Sequence, residues 1–230
     1  MTPLLLLHGA LGADSQFKPL LPLLPAALPV YSFNLAGHGG EPFSDQPFRM
    51  ESFVQQLLEW LAARQLGPVQ VFGYSMGGYV ALEAARQQPQ RFRKIFTLAT
   101  KFAWAPETAA HETARLRPEA IQKKVPAFAQ TLQQRHAPQD WAQLLHQTAD
   151  MMRALGQQPL LTSEKLGQIQ VPVRVAVGDR DQMVTVEETV AAYRSLPSAQ
   201  LQVLPDTRHP LEQVSLPLLA QALNQYFAYA

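Results

Sequence analysis

The chain has 230 residues, 47% hydrophobic and 16% charged, the composition of a globular domain able to bury a sizeable core. Its 19 Lys and Arg against 18 Asp and Glu leave a net charge of +1, so there is no electrostatic reason to expect nucleic acid or an anionic membrane as partner. The absence of cysteine excludes disulfides, thiolate catalysis and Cys-ligated metals, and fits a cytoplasmic setting.

In chain order, Leu4 to Leu7 predict a buried strand ending at His8-Gly9. Four leucines are too few to span a bilayer, and the first basic residue, Lys18, follows them, so the positive start of a signal peptide is missing. Val30 to Leu35 is the next strand, ending at Ala36-Gly37-His38-Gly39. Phe53, Leu57, Leu58 and Leu61 recur at helical spacing, so residues 49–66 predict an amphipathic helix closed by Gly67-Pro68. Val69 to Gly73 is a short strand, Ser75 to Gln88 a helix, and Ile95 to Ala99, Val173 to Val177 and Leu201 to Leu204 further strands. Residues 184–196 and 214–228 supply the final helices. Strands alternating with helices indicate a parallel sheet with crossover connections. The stretch between the strands at 95–99 and 173–177 is far longer than a crossover needs. Pro106, Pro118 and Pro138 each stand where a helix could begin, so residues 101–163 are expected to form a helical insertion over the carboxyl edge of the sheet.

Gly73-Tyr74-Ser75-Met76-Gly77 lies between a strand and a helix, the context that gives G-x-S-x-G its meaning. A serine exposed on so sharp a turn needs small residues two positions either side, and the helix start aims backbone amides at the reacting oxygen. The weak serine nucleophile needs a histidine base with a carboxylate partner. Of His8, His38, His111, His136, His146 and His209, only His209 follows the last strand; His111, His136 and His146 read as surface histidines on helices of the insertion. Gly178-Asp179-Arg180-Asp181 offers two acids after the strand 173–177, which the spacing alone does not separate; Asp179 could instead hold the turn or pair with Arg180. Asp206 reads as a turn residue. An oxyanion hole needs two backbone N–H groups, for which Met76, after the serine, and Ala10, in the glycine-bearing loop His8-Gly9-Ala10-Leu11-Gly12, are the candidates. No H-E-x-x-H spacing and no G-x-G-x-x-G occurs, so neither a metal nor a dinucleotide cofactor is expected.

Through His8-Gly9, Gly37-His38-Gly39, Gly73 to Gly78, Gly178 to Asp181 and His209, the chain resembles the α/β-hydrolase superfamily over essentially its whole length. The resemblance implies a mostly parallel sheet of about six strands flanked by helices, a core formed by 1–100 and 164–230, and a helical lid at 101–163. It favours Asp181 as the triad acid and implies a serine hydrolase that cleaves a small-molecule ester or thioester through an acyl-Ser75 intermediate. Two alternatives stand beside that reading, a ligand receptor on the same fold and a lyase using the triad for proton abstraction. The chain departs from the family in opening at what resembles its third strand, in Asn34 where an aspartate is common, and in Arg208 where a glycine often precedes the histidine. Arg208 is expected either to place a cation beside the base or to bind an acidic substrate. Trp104, Phe102, Phe128, Trp141, Met151 and Met152 are candidates for an apolar pocket beneath the lid, with lid core as the simpler role for most.

Overall fold

A computed structural model describes residues 1–228. Six strands, β1 (Leu4–Leu7), β2 (Val30–Ser32), β3 (Val69–Tyr74), β4 (Phe92–Leu98), β5 (Val173–Gly178) and β6 (Ala199–Leu204), form one sheet in the order β2-β1-β3-β4-β5-β6. All five pairings are parallel. The second strand stops at Ser32, three residues short of the apolar run that predicted it, and the chain turns away before Leu35. β1 is fully buried because strands flank it on both sides and helices or loops cover both faces, which is why it reads as an unbroken leucine run.

Alternation along the strands divides the core in two. Leu5, Leu7, Val71, Ile95 and Val175 face a layer containing α1 (Met50–Ala63) and α2 (Met76–Gln87). Leu4, Leu6, Phe72, Phe96 and Leu204 face the other side, where Phe17, Leu20 and the last helix pack. The helical spacing of Phe53, Leu57, Leu58 and Leu61 is realised as the buried stripe of α1.

Between β4 and β5 stand α3 (Pro106–Thr113), α4 (Pro118–Lys124), α5 (Pro126–His136), α6 (Trp141–Gln157) and the single turn α7 (Ser163–Leu166). Pro106 and Pro118 begin helices as expected, since a first-turn proline lacks only an amide that has no partner anyway. Pro138 does not; it falls between α5 and α6, and α6 starts at Trp141 behind Asp140, whose carboxylate accepts from the Ala142 amide at 2.8 Å. Then come α8 (Val186–Ser195), capped reciprocally by Thr185 and Glu188, and α9 (Leu216–Phe227). No described helix is long and apolar enough to cross a membrane.

Two glycines bring the chain together at the carboxyl edge of the sheet. A Cβ at Gly77 would overlap the Leu7 carbonyl, and one at Gly178 would overlap the carbonyl of Thr207. The first lets α2 pass directly beneath the end of β1; the second lets the loop carrying His209 cross the end of β5. Because both obstacles are backbone atoms, which cannot swing aside, Gly77→Ala should destabilise the protein by about 1–3 kcal/mol. Urea unfolding would measure this, and an unchanged midpoint would refute it.

Candidate active site

Ser75, Asp181, His209 and Ala10 lie in loops that follow β3, β5, β6 and β1, so all four gather at the carboxyl edge. β1 and β3 are neighbours whose outgoing chains diverge, leaving a crevice where open α/β sheets place ligands. Ser75 adopts φ 50° and ψ −116°, a strained conformation for a residue with a side chain. The strain is held by hydrogen bonds at both ends of the residue. Its amide donates to the Leu98 carbonyl (2.8 Å), and its carbonyl accepts from the Gly78 amide and the Thr100 hydroxyl, both at 3.0 Å. The helix proper begins one residue later than the sequence suggested, at Met76, with Ser75 as its cap.

From Ser75 the polar chain runs outward. Its Oγ lies 3.4 Å from His209 Nε2, a loose separation of the kind that tightens when substrate is in place. On the other side of the ring, His209 Nδ1 donates to Asp181 Oδ2 at 2.8 Å. Asp181 Oδ1 accepts from the amides of Met183 and Val184, both at 2.8 Å, and its side chain is fully buried. The carboxylate is thereby fixed in orientation by its own turn. Asp179 does different work: its carboxylate is 3.2 Å from the Thr207 amide, in an exposed residue, and it forms no ion pair with Arg180. Asp206 is an exposed turn residue at φ 46°, as expected. Of the two amides expected to face a developing oxyanion, that of Met76 heads α2, where it has no acceptor within the helix. That of Ala10 has no partner among the described residues, and both residues line the cavity beside Ser75.

A sequence profile described as the alpha/beta hydrolase family matches residues 4–222. The chain belongs to that family. Among curated relatives, the pimeloyl-[acyl-carrier protein] methyl ester esterase of Neisseria meningitidis serogroup C is 30% identical over 226 residues, covering 89% of this chain and 85% of that protein. Among solved structures, a carboxylesterase of Nitrososphaera gargenis superposes with a TM-score of 0.81 at 18% identity, over 99% of this chain and 90% of that one. An esterase of Thermogutta terrifontis superposes at 0.77 and 22% identity, over 99% and 90%. At these identities the structures speak for the fold.

In this α/β hydrolase the cavity over Ser75 measures about 430 Å³, within the usual range for small-molecule sites. Its walls are mostly apolar. Met151 and Met152 of α6 and Trp104 line it, as the sequence suggested, but Phe102 is buried in the core, Phe128 is exposed and Trp141 packs within the helical segment. Met50, Tyr79 and Leu155 complete the apolar wall without having been singled out, since nothing in their spacing distinguishes a lining residue from a core one. Arg115, Arg180 and Arg208 are exposed residues that also line it, and none forms an ion pair among the described residues.

Two further residues support the site. The Tyr74 hydroxyl donates to the His209 carbonyl (2.7 Å), fixing the backbone of that loop. Asn34 stands where the family often has an aspartate; its Oδ1 accepts from the Asp14 amide at 2.7 Å, and its amide nitrogen lies 3.2 Å from Asp14 Oδ1 and 3.4 Å from the Gly39 carbonyl. His111 and His146 are exposed, as expected, but His136 is not: it is completely buried, facing the loop after β1. The surface reading failed there because the residues that cover His136 come from distant parts of the chain.

Proposed function

We propose that Ser75, His209 and Asp181 form the triad of an ester-cleaving serine hydrolase, with the amides of Ala10 and Met76 as its oxyanion hole. The protein is an ester-cleaving serine hydrolase on the strength of its family and its esterase relatives. The observation that carries the residue assignment is the continuous chain Ser75 Oγ–His209–Asp181 opening onto an apolar cavity. Ser75 Oγ attacks the ester carbonyl while His209 Nε2 takes its proton. The tetrahedral oxyanion collapses, the C–O bond to the alcohol breaks, and His209 returns the proton to the leaving oxygen. Water, deprotonated by the same ring, then releases the acid and regenerates Ser75. Asp181 holds the ring with its proton on Nδ1 and stabilises the imidazolium.

The helical segment 101–163 serves as the lid, with α6 and Trp104 shaping the acyl pocket. The substrate class we favour is the methyl ester of an acyl group borne on an acyl-carrier protein, as the name of the Neisseria relative describes for that protein. Arg115, Arg180 and Arg208, which form no ion pair among the described residues, support this, because three exposed cations against the one acid Glu112, itself beside Lys101, leave the lining with excess positive charge for a negatively charged carrier. The cytoplasm is the setting of such a reaction, and neither metal, cofactor nor nucleic acid takes part.

A panel of p-nitrophenyl esters from acetate to long acyl chains should show turnover peaking at an intermediate length. A fluorophosphonate should label the peptide containing Ser75 and block that turnover. Inertness toward every ester, or labelling at another serine, would overturn the assignment.

A further inference from the structure

The loop after β1 is gripped from the helical segment at a place the hydrolytic mechanism does not itself require. Leu11 has φ 58°, a left-handed conformation that is strained for a residue with a side chain. Its carbonyl accepts two hydrogen bonds from the last turn of α5: His136 Nε2 at 3.0 Å and Arg135 Nη1 at 3.1 Å. The other nitrogen of His136, Nδ1, accepts from the Gly39 amide at 3.0 Å, which places the ring proton on Nε2. On the near side of Ala10, His8 Nδ1 donates to the Gly9 carbonyl (2.8 Å) while His8 Nε2 accepts from the Leu35 amide (3.1 Å). The Gly9 carbonyl also accepts from the Gly12 amide at 3.0 Å.

A trans peptide points its C=O and the following N–H in opposite directions. Holding the Gly9 carbonyl therefore aims the Ala10 N–H, and holding the Leu11 carbonyl fixes the far end of the same short loop. Each of the two carbonyls has two donors, and for Leu11 both come from residues more than 120 positions away. Arg135 extends the grip: its Nη2 pairs with Glu212 Oε1 at 2.8 Å, in the segment just beyond His209. The end of α5 thus ties together the loop bearing the oxyanion donor and the loop bearing the base.

We infer that His136, assisted by Arg135, is a positioning residue for the Ala10 amide, so that docking of the helical segment is what brings the oxyanion hole into register. The inference rests on the hydrolytic reading of Ser75 and concerns only how its oxyanion is received. Lifting the end of α5 removes both donors from Leu11 and frees its strained backbone to relax. A hydrolase built this way forms its oxyanion hole with the segment seated and disarms it when the segment lifts.

The test compares wild type with His136→Ala, His136→Gln and Arg135→Met. The readouts are kcat and KM on the best p-nitrophenyl ester, and the affinity for a trifluoromethyl ketone with the same acyl group, which becomes an oxyanion on Ser75. His136→Ala should lose about 10- to 100-fold in kcat, less than the 100- to 1,000-fold typical of deleting a donor outright. KM should hold within about twofold, and ketone affinity should fall by the same factor as kcat/KM. His136→Gln, which keeps an N–H donor, should recover most of the loss. Arg135→Met should show a smaller loss with the same pattern, and it carries the test if His136→Ala does not fold. Unchanged kcat and ketone affinity in a folded variant, or a loss confined to KM, would overturn the inference. Wild-type turnover by Ser75→Ala would instead sink the hydrolytic reading beneath it.

Discussion

Ser75→Ala should lower kcat by about six orders of magnitude, and Asp181→Asn by about four, while both proteins stay folded. The first figure follows from losing the hydroxyl oxygen poised 3.4 Å from His209 Nε2. The second follows from what Asp181 does for the ring. A carboxylate at 2.8 Å from Nδ1 accepts the proton there and leaves Nε2 free to take another from Ser75. An asparagine in its place can present an N–H to Nδ1, which favours the opposite tautomer and puts a proton on the nitrogen that should act as base. The two amides of Met183 and Val184 that hold Oδ1 would keep the carboxamide oxygen in the same orientation, so its nitrogen faces the ring. Asp179→Asn is the control: its carboxylate touches the Thr207 amide, not the ring, so activity should stay within a few-fold of wild type. Initial rates on a common ester would decide. If Asp179→Asn proved the more damaging of the two, the assignment of the acid would be wrong.

Acid should unfold this protein earlier than its balanced charge suggests. His8, His38 and His136 are completely buried and mutually close, with ring centroids 4.9 Å apart for His8 and His38 and 5.8 Å for His38 and His136. Burial pushes His8 and His136 down to about 4, despite the hydrogen bonds to Gly9 and Leu11 that favour their protonated forms. Arg135 adds to the depression at both rings, while Asp14 opposes it at His8. Burial lowers His38 as well, and its neighbours His8 and His136 push the same way. In the unfolded chain these rings titrate near 6.5, so below that pH the unfolded state binds more protons than the folded one. Stability is therefore complete above about pH 6.5 and is lost as the pH falls toward 4, by on the order of 3 kcal/mol for each of His8 and His136. Protonation also removes the acceptors used by the Leu35 and Gly39 amides. Urea midpoints from pH 7 to pH 4.5 should fall steeply, and His136→Gln should flatten the slope by about one proton's worth. A flat profile down to pH 4.5 would contradict the depressed values.

Much of the site was legible because its signals are local. Gly73 to Gly77 between a strand and a helix marks Ser75 through the steric demands of one turn, and a leucine run or a helical stripe of apolar residues declares burial within a few positions. His209 was legible by its order in the chain after the last strand. What the sequence by itself determined is thus the α/β class and the parallel sheet, and it singled out the serine and histidine proposed as nucleophile and base. Tertiary structure decided the rest. Asp181 and Asp179 are two residues apart in the same turn, and only the packing of the Thr207 to His209 loop across Gly178 puts one against the ring and the other against a backbone amide. The cavity lining mixes α1, α2, α3 and α6 with the loops after β1, β4, β5 and β6, so no periodicity in any one of them could pick out Met50, Tyr79 or Leu155. His136 looked like a surface residue because its own helix offers it no cover; Leu11 and Gly39, about a hundred positions or more away, supply it. Local sequence sets which backbone conformations and faces are favoured, whereas the partner of a polar side chain is chosen by whatever the fold carries past it.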